Sequence, residues 1–239
     1  MARKPIVDNE KRAKLLRRTA TEIKMYSVHK KVCIAAICML LTIVVIFYIF
    51  AVLYQQTGSF TVSVDKFDMT RYGLTLSEYS DMAYQSSNLN AEIHEQITNI
   101  SGDAIPVDVD MIDGEHNGEN YIAYTLYLQN AGEVAVSYEY ALKMSNVTNG
   151  IDSALRIRLY VDGTPTTSAK TKTDGTGPEL GTTEFYAENI AAAGRKDDFA
   201  PGEITKFTVV IWIEGTDLDC QDWLIGGKVK VDMNISIVH

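Results

Sequence analysis

The feature that most constrains the fold is an uncharged apolar run, VCIAAICMLLTIVVIFYIFAVLY, from Val32 to Tyr54. As a helix it would span roughly 35 Å at about 1.5 Å per residue, enough to cross a hydrocarbon core of about 30 Å. A cleaved signal peptide has a shorter apolar region, roughly 7–15 residues, and a small-x-small cleavage site. The run is longer, and the QQTGS that follows it is a poor cleavage site, so the sequence favours a signal anchor that crosses the membrane once.

Charge is divided unevenly on the two sides of this run. Residues 1–31 carry ten Lys/Arg and three Asp/Glu, whereas the rest of the chain carries twelve Lys/Arg and twenty-eight Asp/Glu. Because positive charge is retained in the cytoplasm, we expect a basic cytoplasmic tail (1–31), a transmembrane segment (32–54) and an extracellular domain (55–239). The basic tail has one aromatic residue, Tyr26, so it favours contact with the lipid bilayer over nucleic acid.

The cysteines predict a domain without disulfide bonds. Cys33 and Cys38 lie in the apolar run, which leaves Cys220 alone in the exported part. A domain of 55–239 is long enough to bury a hydrophobic core without covalent cross-links.

Alternation of apolar and polar residues predicts at least six strands in the exported part. Examples are FTVSV from Phe60, with Val62 and Val64 on the same face, and KVKVDMNISIV from Lys228. The others are YIAYTLYLQN (121–130), VAVSYEYALKM (134–144), ALRIRLYVDG (154–163) and KFTVVIWIEG (206–215). Strands without alternating helices indicate a mainly β, antiparallel β-sandwich or jelly roll.

Three stretches between these strands have other patterns. SEYSDMAYQSSNLNAEIHEQI (77–97) and EFYAENIAAAG (184–194) could form short helices. The Thr/Gly-rich stretch 162–183 is typical of an exposed hairpin or loop, and it opens with the turn pair Asp162-Gly163.

The segments DGEHNGENYIAYTLYLQNAGE, ALRIRLYVDG, PGEITKFTVVIWIEG and DLDCQDWLIGGKVKVDM, placed after a basic tail and a long apolar run, carry a resemblance. They resemble membrane-anchored exported proteins of Gram-positive gut bacteria and, more distantly, the TasA/camelysin family. That family implies an exported jelly-roll subunit that builds matrix fibres by donating an N-terminal strand. The chain departs from it in its longer apolar segment, which would keep the Phe60–Val64 strand tethered to the membrane.

Camelysin-like proteins have been called metallopeptidases, and the sequence gives little support for zinc here. IHEQIT supplies His94 and Glu95, but Thr98 stands where the HExxH pattern needs its second histidine. Calcium is a second candidate, because it prefers oxygen ligands. Two acidic loops supply such oxygens: Asp108, Asp110, Asp113 and Glu115 in the first, and Asp217, Asp219 and Asp222 in the second. Neither loop has the EF-hand spacing, so solvated carboxylates are the alternative.

The second acidic loop, EGTDLDCQDWLIGG (214–227), also has features of a capped helical turn. Asp219 and Asp222 have a spacing that can cap a short helix. Gly226 and Gly227 permit the positive φ that would end it. We therefore predict that Trp223 fills one end of the sandwich core, and that Asp217 is solvated.

The sequence contains no nucleophile elbow, phosphate loop or dinucleotide-binding pattern. We therefore expect a non-enzymatic, membrane-tethered structural or surface protein that assembles with like subunits or other envelope proteins. The alternative is a carbohydrate- or peptide-binding module, with or without calcium, in which Tyr160, Tyr186 and Trp212 would be exposed stacking groups.

Overall fold

The structure is a computed structural model that describes residues 14, 17, 25, 28, 30–49, 60–91 and 97–238. It divides into two units, Met1–Tyr54 and Gln55–His239. In the first unit, helix α1 (Lys30–Ile49) is long and apolar enough to cross a membrane, and it is exposed along its whole length. The last residues of the predicted apolar segment, 50–54, lie outside the described residues.

The second unit is mainly β. It contains one short α-helix, α2 (Lys66–Tyr72), whose N-cap Asp65 accepts a hydrogen bond from the backbone N–H of Phe67. Its strands are β1 (Phe60–Val64), β2 (Leu74–Ser77), β3 (Asn88–Ala91), β4 (Asn99–Ile100), β5 (Gly114–Glu115), β6 (Tyr121–Asn130), β7 (Val136–Ser145), β8 (Leu155–Val161), β9 (Thr164–Ala169), β10 (Thr183–Glu184), β11 (Ile190–Phe199), β12 (Ile204–Glu214) and β13 (Lys230–Ile237). Short 3-10 helices span Gly102–Ala104, Val109–Met111, Ile151–Ser153 and Asp222–Leu224.

The strands form two sheets. The first has the order β11-β7-β13-β1-β3, and the second has the order β10-β9-β8-β12-β6-β2, with β4 beside β12 and β5 beside β6. Most ladders are antiparallel, but β1 pairs in parallel with β13, as do β10 with β9 and β4 with β12. The predicted β-sandwich after an N-terminal apolar helix is confirmed, with mixed rather than purely antiparallel sheets.

The core lies where the alternating apolar faces of the two sheets meet. Phe60, from the first sheet, packs edge-on against Tyr124 of the second, with ring centroids 5.7 Å apart. Tyr140 and Phe207 make a similar contact at 5.1 Å. Such pairs add to the stabilisation from burial itself, and they fix the inward register that the sequence alternation predicted.

A smaller apolar cluster lies on the other face of the second sheet. Val210 and Trp212 of β12 are buried there together with Tyr160 of β8, beneath Ile105 and Val109 from the segment between β4 and β5. This cover explains why β6 and β12 are apolar on both faces.

Two interpretations of the sequence were wrong. Residues 190–194, expected as part of a helix, belong to strand β11, and Asn88–Ala91 form β3 rather than helix. The alanine-rich run favours helix locally, but it pairs with β7, where a side chain on Gly194 would lie 2.3 Å from the Tyr140 hydroxyl. Tertiary pairing therefore overrides the local preference.

Candidate functional site

The acidic loop 214–227 contains the predicted helical turn, but with a different side chain buried. A 3-10 helix spans Asp222–Leu224, and Gly226 follows with φ of +76°. Gly227 approaches Ile151 so closely that a side chain would lie 2.9 Å from its Cβ. Trp223 is 55% exposed, whereas Leu224 is 6% exposed and packs in the main core. The prediction that Trp223 fills the core was wrong, because a turn this short buries one side chain and directs its neighbour outward.

The aspartates of this loop do not cap the turn. Its N-cap is Gln221, which makes no capping hydrogen bond. Asp217 Oδ1 instead accepts the backbone N–H of Asp219 at 2.8 Å, and its Oδ2 pairs with the guanidinium of Arg156. The side chains of Arg156 and Asp217 are 2% and 3% exposed. The expectation of a solvated Asp217 is therefore wrong: it is one half of a buried ion pair.

Next to this pair, the second sheet and its covering loops line an open cavity of about 330 Å³. Its walls include Arg156, Arg158, Trp212, Glu214 and Asp217. Strands β8 and β12 are neighbours with Trp212 opposite Arg156, so residues two apart along each strand bring these charged and aromatic side chains to one face. The alternation along the strands predicts that this face of the second sheet points away from the core. It does not predict that loops cover the face.

Trp212 and its neighbours organise this cavity. The guanidinium of Arg158 lies 5.0 Å from the ring centroid of Trp212, and its Nε donates to Thr167 Oγ1 at 3.0 Å. The indole Nε1 of Trp212 donates to Glu214 Oε2 at 3.0 Å. Trp212 is 2% exposed and Tyr160 is buried, so neither is the exposed stacking group considered above; Tyr186 remains exposed.

The carboxylate of Glu214 is held in its charged form. Partial burial opposes ionisation, but hydrogen bonds from Trp212, Thr216 and the backbone N–H of Gly102 outweigh it and lower the pKa of Glu214. The Gly102 bond is 2.9 Å long and ties the segment after β4 to the end of β12. Glu214 therefore connects the cavity wall to the loop that covers it.

This predicts a pH dependence. A carboxylate whose folded-state pKa is lowered stabilises the fold above its unfolded-state pKa of about 4.3, and this stabilisation is lost as pH falls through the folded-state pKa. Glu214→Gln should therefore have a lower melting temperature than wild type at pH 7, and the difference should shrink near pH 3. Thermal melts of both proteins across this pH range test the prediction, with Glu188→Gln, at an exposed position, as the control. An equal deficit at both pH values would contradict the assignment.

The first acidic loop does not gather its carboxylates. Asp113 accepts hydrogen bonds from the Tyr127 hydroxyl and, at 3.4 Å, from the Ser80 backbone. Burial and the bond to Asp113 raise the pKa of Tyr127 to about 12. Glu115 accepts from Asn117 at 2.7 Å, while Asp110 is buried and Asp108 is exposed.

No group of three or more His, Cys, Asp or Glu side chains lies close enough to hold a metal ion within the described part of the chain. His94 and Glu95 lie outside that part. Both ring nitrogens of His116 lie within 2.8 Å of backbone carbonyls, those of Gly114 and Val109. In the second loop, Asp219 accepts from the Thr173 backbone at 3.0 Å and Asp222 is exposed. The carboxylates considered for calcium thus do not converge on one point, and several of them are hydrogen-bonded to other groups of the protein.

Cys220 is partly buried against the main core, and Asn99 Nδ2 lies 3.4 Å from its sulfur. Cys33 and Cys38 are exposed on α1. The three thiols are free in the structure.

Comparisons with known proteins leave the family open. No protein-family model matches the chain, and no curated protein matches it significantly. Among solved structures, a crystal structure of beta-glucosidase from Kluyveromyces marxianus in complex with glucose is similar over 67% of this chain, at 9% identity and a TM-score of 0.24. The chain spans 15% of that enzyme's length, and a likeness this slight carries no argument.

Proposed function

We propose that the protein is a membrane-tethered structural component of the cell surface, with α1 as its anchor and the β-sandwich outside the cell. The observation that carries this proposal is the twenty-residue apolar helix Lys30–Ile49, exposed along its whole length. After Lys30 and Lys31 the helix carries no charge, and an exposed apolar helix of this length is stable in lipid and unfavourable in water. The lysine- and arginine-rich residues 1–31 support a cytoplasmic N-terminus.

The topology is tested by proteolysis. Protease added to intact cells or protoplasts should digest residues 55–239 and spare the segment 1–54, because the bilayer protects only the latter. Mass spectrometry of the untreated protein should find no new N-terminus between Leu53 and Phe60. A mature chain that begins in this interval would show a cleaved signal peptide and overturn the anchor.

Assembly with like subunits is the further part of this proposal, supported by the resemblance to TasA-like proteins. Strand β1 is hydrogen-bonded on both sides within its own sheet, to β13 and β3. Its donation to another copy would therefore require both ladders to open. The long edge strand β11 carries Arg195, Lys196 and Asp197 and two register shifts, features that discourage edge-to-edge pairing. Blue-native electrophoresis of solubilised membranes tests this part, and a strictly monomeric protein would refute assembly without affecting the anchor.

The cavity beside Arg158 favours a second candidate, a surface module that binds a carbohydrate or peptide. Its volume of about 330 Å³ is at the lower end of ligand sites. Arg158 forms no ion pair with any described residue, and its guanidinium offers further donors to a ligand. A glycan and peptide array, probed with wild type and Arg158→Ala, tests this candidate. Binding lost in the variant would support it.

A further inference from the structure

The sandwich has one end at which the chain enters from the apolar segment. Phe60 begins β1 and is paired with Val231 near the start of β13, and Lys230 is paired with Ser145 at the end of β7. The connections 146–150 and 215–229 therefore lie at the same end as Phe60. This end of the sandwich is called the entry end below.

The entry end exposes large apolar side chains from one loop. Leu218 is 82% exposed, Trp223 is 55% exposed and Ile225 is 76% exposed. Single exposed apolar residues are ordinary on a protein surface, whereas three large ones within residues 218–225 of one loop make that loop a candidate interaction surface. The group contains one of the two tryptophans in the chain.

The backbone that presents these side chains is held in place. Asn149 Nδ2 donates to the Ile225 carbonyl at 3.0 Å, and the backbone N–H of Thr148 donates to the Lys228 carbonyl at 2.9 Å. The Trp223 ring lies against Gly150, where a side chain would come within 2.9 Å of it. The exposed residues therefore sit on an ordered surface, which lowers the entropic cost of contact with a partner.

We infer that Leu218, Trp223 and Ile225 dock into the interface of the same lipid bilayer that holds the apolar segment. This inference rests on the proposed membrane tether. Only residues 55–59 separate Tyr54, the end of the apolar run, from Phe60, and the six steps between them reach at most about 20 Å when extended. Under the proposed tether, this chain length limits how far the entry end can lie from the bilayer, and tryptophan favours the headgroup region.

The charges of the loop define which lipid fits. Asp222, beside Trp223, is exposed, Asp219 is partly buried, Asp217 is paired with Arg156, and the loop has one cation, Lys228. Contact with the bilayer therefore comes from apolar insertion rather than from attraction to anionic headgroups. The loop should therefore contact zwitterionic phosphatidylcholine at least as well as a mixture rich in phosphatidylglycerol.

The test uses the full chain in phosphatidylcholine vesicles with and without brominated acyl chains, which quench nearby tryptophan. Both tryptophans lie outside the apolar segment, and Trp212 is buried in the sandwich. Brominated lipid should therefore remove about half of the emission, since one of the two tryptophans is in the contact. The quenching should disappear in Trp223→Phe and decrease in Ile225→Ser. Val134→Ser, an exposed apolar residue beyond the opposite end of β7, is the matched control and should leave it unchanged.

The inference is overturned if the loop is not quenched or if the tether is absent. Equal emission in both vesicle types, with Trp223 accessible to aqueous acrylamide, would leave the loop in water. Protection from acrylamide without quenching by brominated lipid would indicate that a second copy covers the loop. Release of the chain by alkaline carbonate would remove the tether itself, and with it both the proposed function and this contact. A chain that resists carbonate but shows no quenching would refute the docking alone.

Discussion

Trp212→Ala is expected to lower the free energy of unfolding by about 3–5 kcal/mol, the usual cost of removing a buried tryptophan. Trp212 is 2% exposed, and its truncation would leave a cavity in the apolar cluster on the outer face of the second sheet. It would also remove the indole donor to Glu214 and the ring beneath Arg158. The cover formed by Ile105 and Val109 would then lose much of what it packs against.

The matched variant is Trp223→Ala, which removes the same side chain from a site where it is 55% exposed. It should cost about 1 kcal/mol or less, as is usual for surface substitutions. Denaturant titrations of the two full-length variants in detergent measure both values. Equal losses, or a larger loss for Trp223→Ala, would restore the original sequence-based prediction that Trp223 fills the core.

The strand pattern was predictable from the sequence because alternation is set by burial on one face. The predicted YIAYTLYLQN strand corresponds to β6 with the same bounds, and FTVSV corresponds to β1 with its apolar residues buried. The turn pair Asp162-Gly163 was also recognisable, and both residues have positive φ between β8 and β9. These features depend on short-range chemistry that a single sequence carries.

The outer face of the second sheet was not predictable in the same way. Arg156 and Arg158 alternate with apolar residues along β8, which is also the pattern of a solvent-facing row. Arg156 is buried and Arg158 is partly buried, and the cover over Arg156 comes from a segment distant in sequence, the loop that carries Asp217. One signal was available: β6 and β12 are apolar on both faces, and such strands need a cover on each side.

The proposed tether and the proposed lipid contact place different demands on the same chain. The anchor needs only the apolar run, whereas the contact needs Leu218, Trp223 and Ile225 to remain exposed on an ordered loop. Trp223 and Ile225 are both mostly exposed, so the packing of the core does not depend on their being apolar. A polar substitution at Ile225 should therefore change the position of the domain at the membrane more than its stability.

The second large effect on stability is expected at Asp217 in the acidic loop 214–227. Asp217→Ala should lower the free energy of unfolding by about 3–5 kcal/mol, because it leaves the Arg156 guanidinium buried without its counter-charge. Asp217→Asn should also be strongly destabilising, since a neutral amide does not compensate that charge. This reverses the sequence-based expectation of a small effect, and the reason is the burial of both side chains, at 2% and 3% exposure.

A double-mutant cycle separates the ion pair from calcium. Arg156→Leu with Asp217→Leu should recover much of the loss, because replacing both buried charges by apolar side chains is often close to neutral.

The exposed Asp222→Asn should stay within about 0.5 kcal/mol of wild type. Melts with calcium and with chelator should coincide for every variant. If calcium occupied the loop at a hundredfold excess over its dissociation constant, it would add about 2.7 kcal/mol. Chelator would then lower the wild-type melting temperature by several degrees, and Asp222→Asn would be as damaging as Asp217→Asn. That result would replace the ion pair with a metal site as the organising feature of the loop.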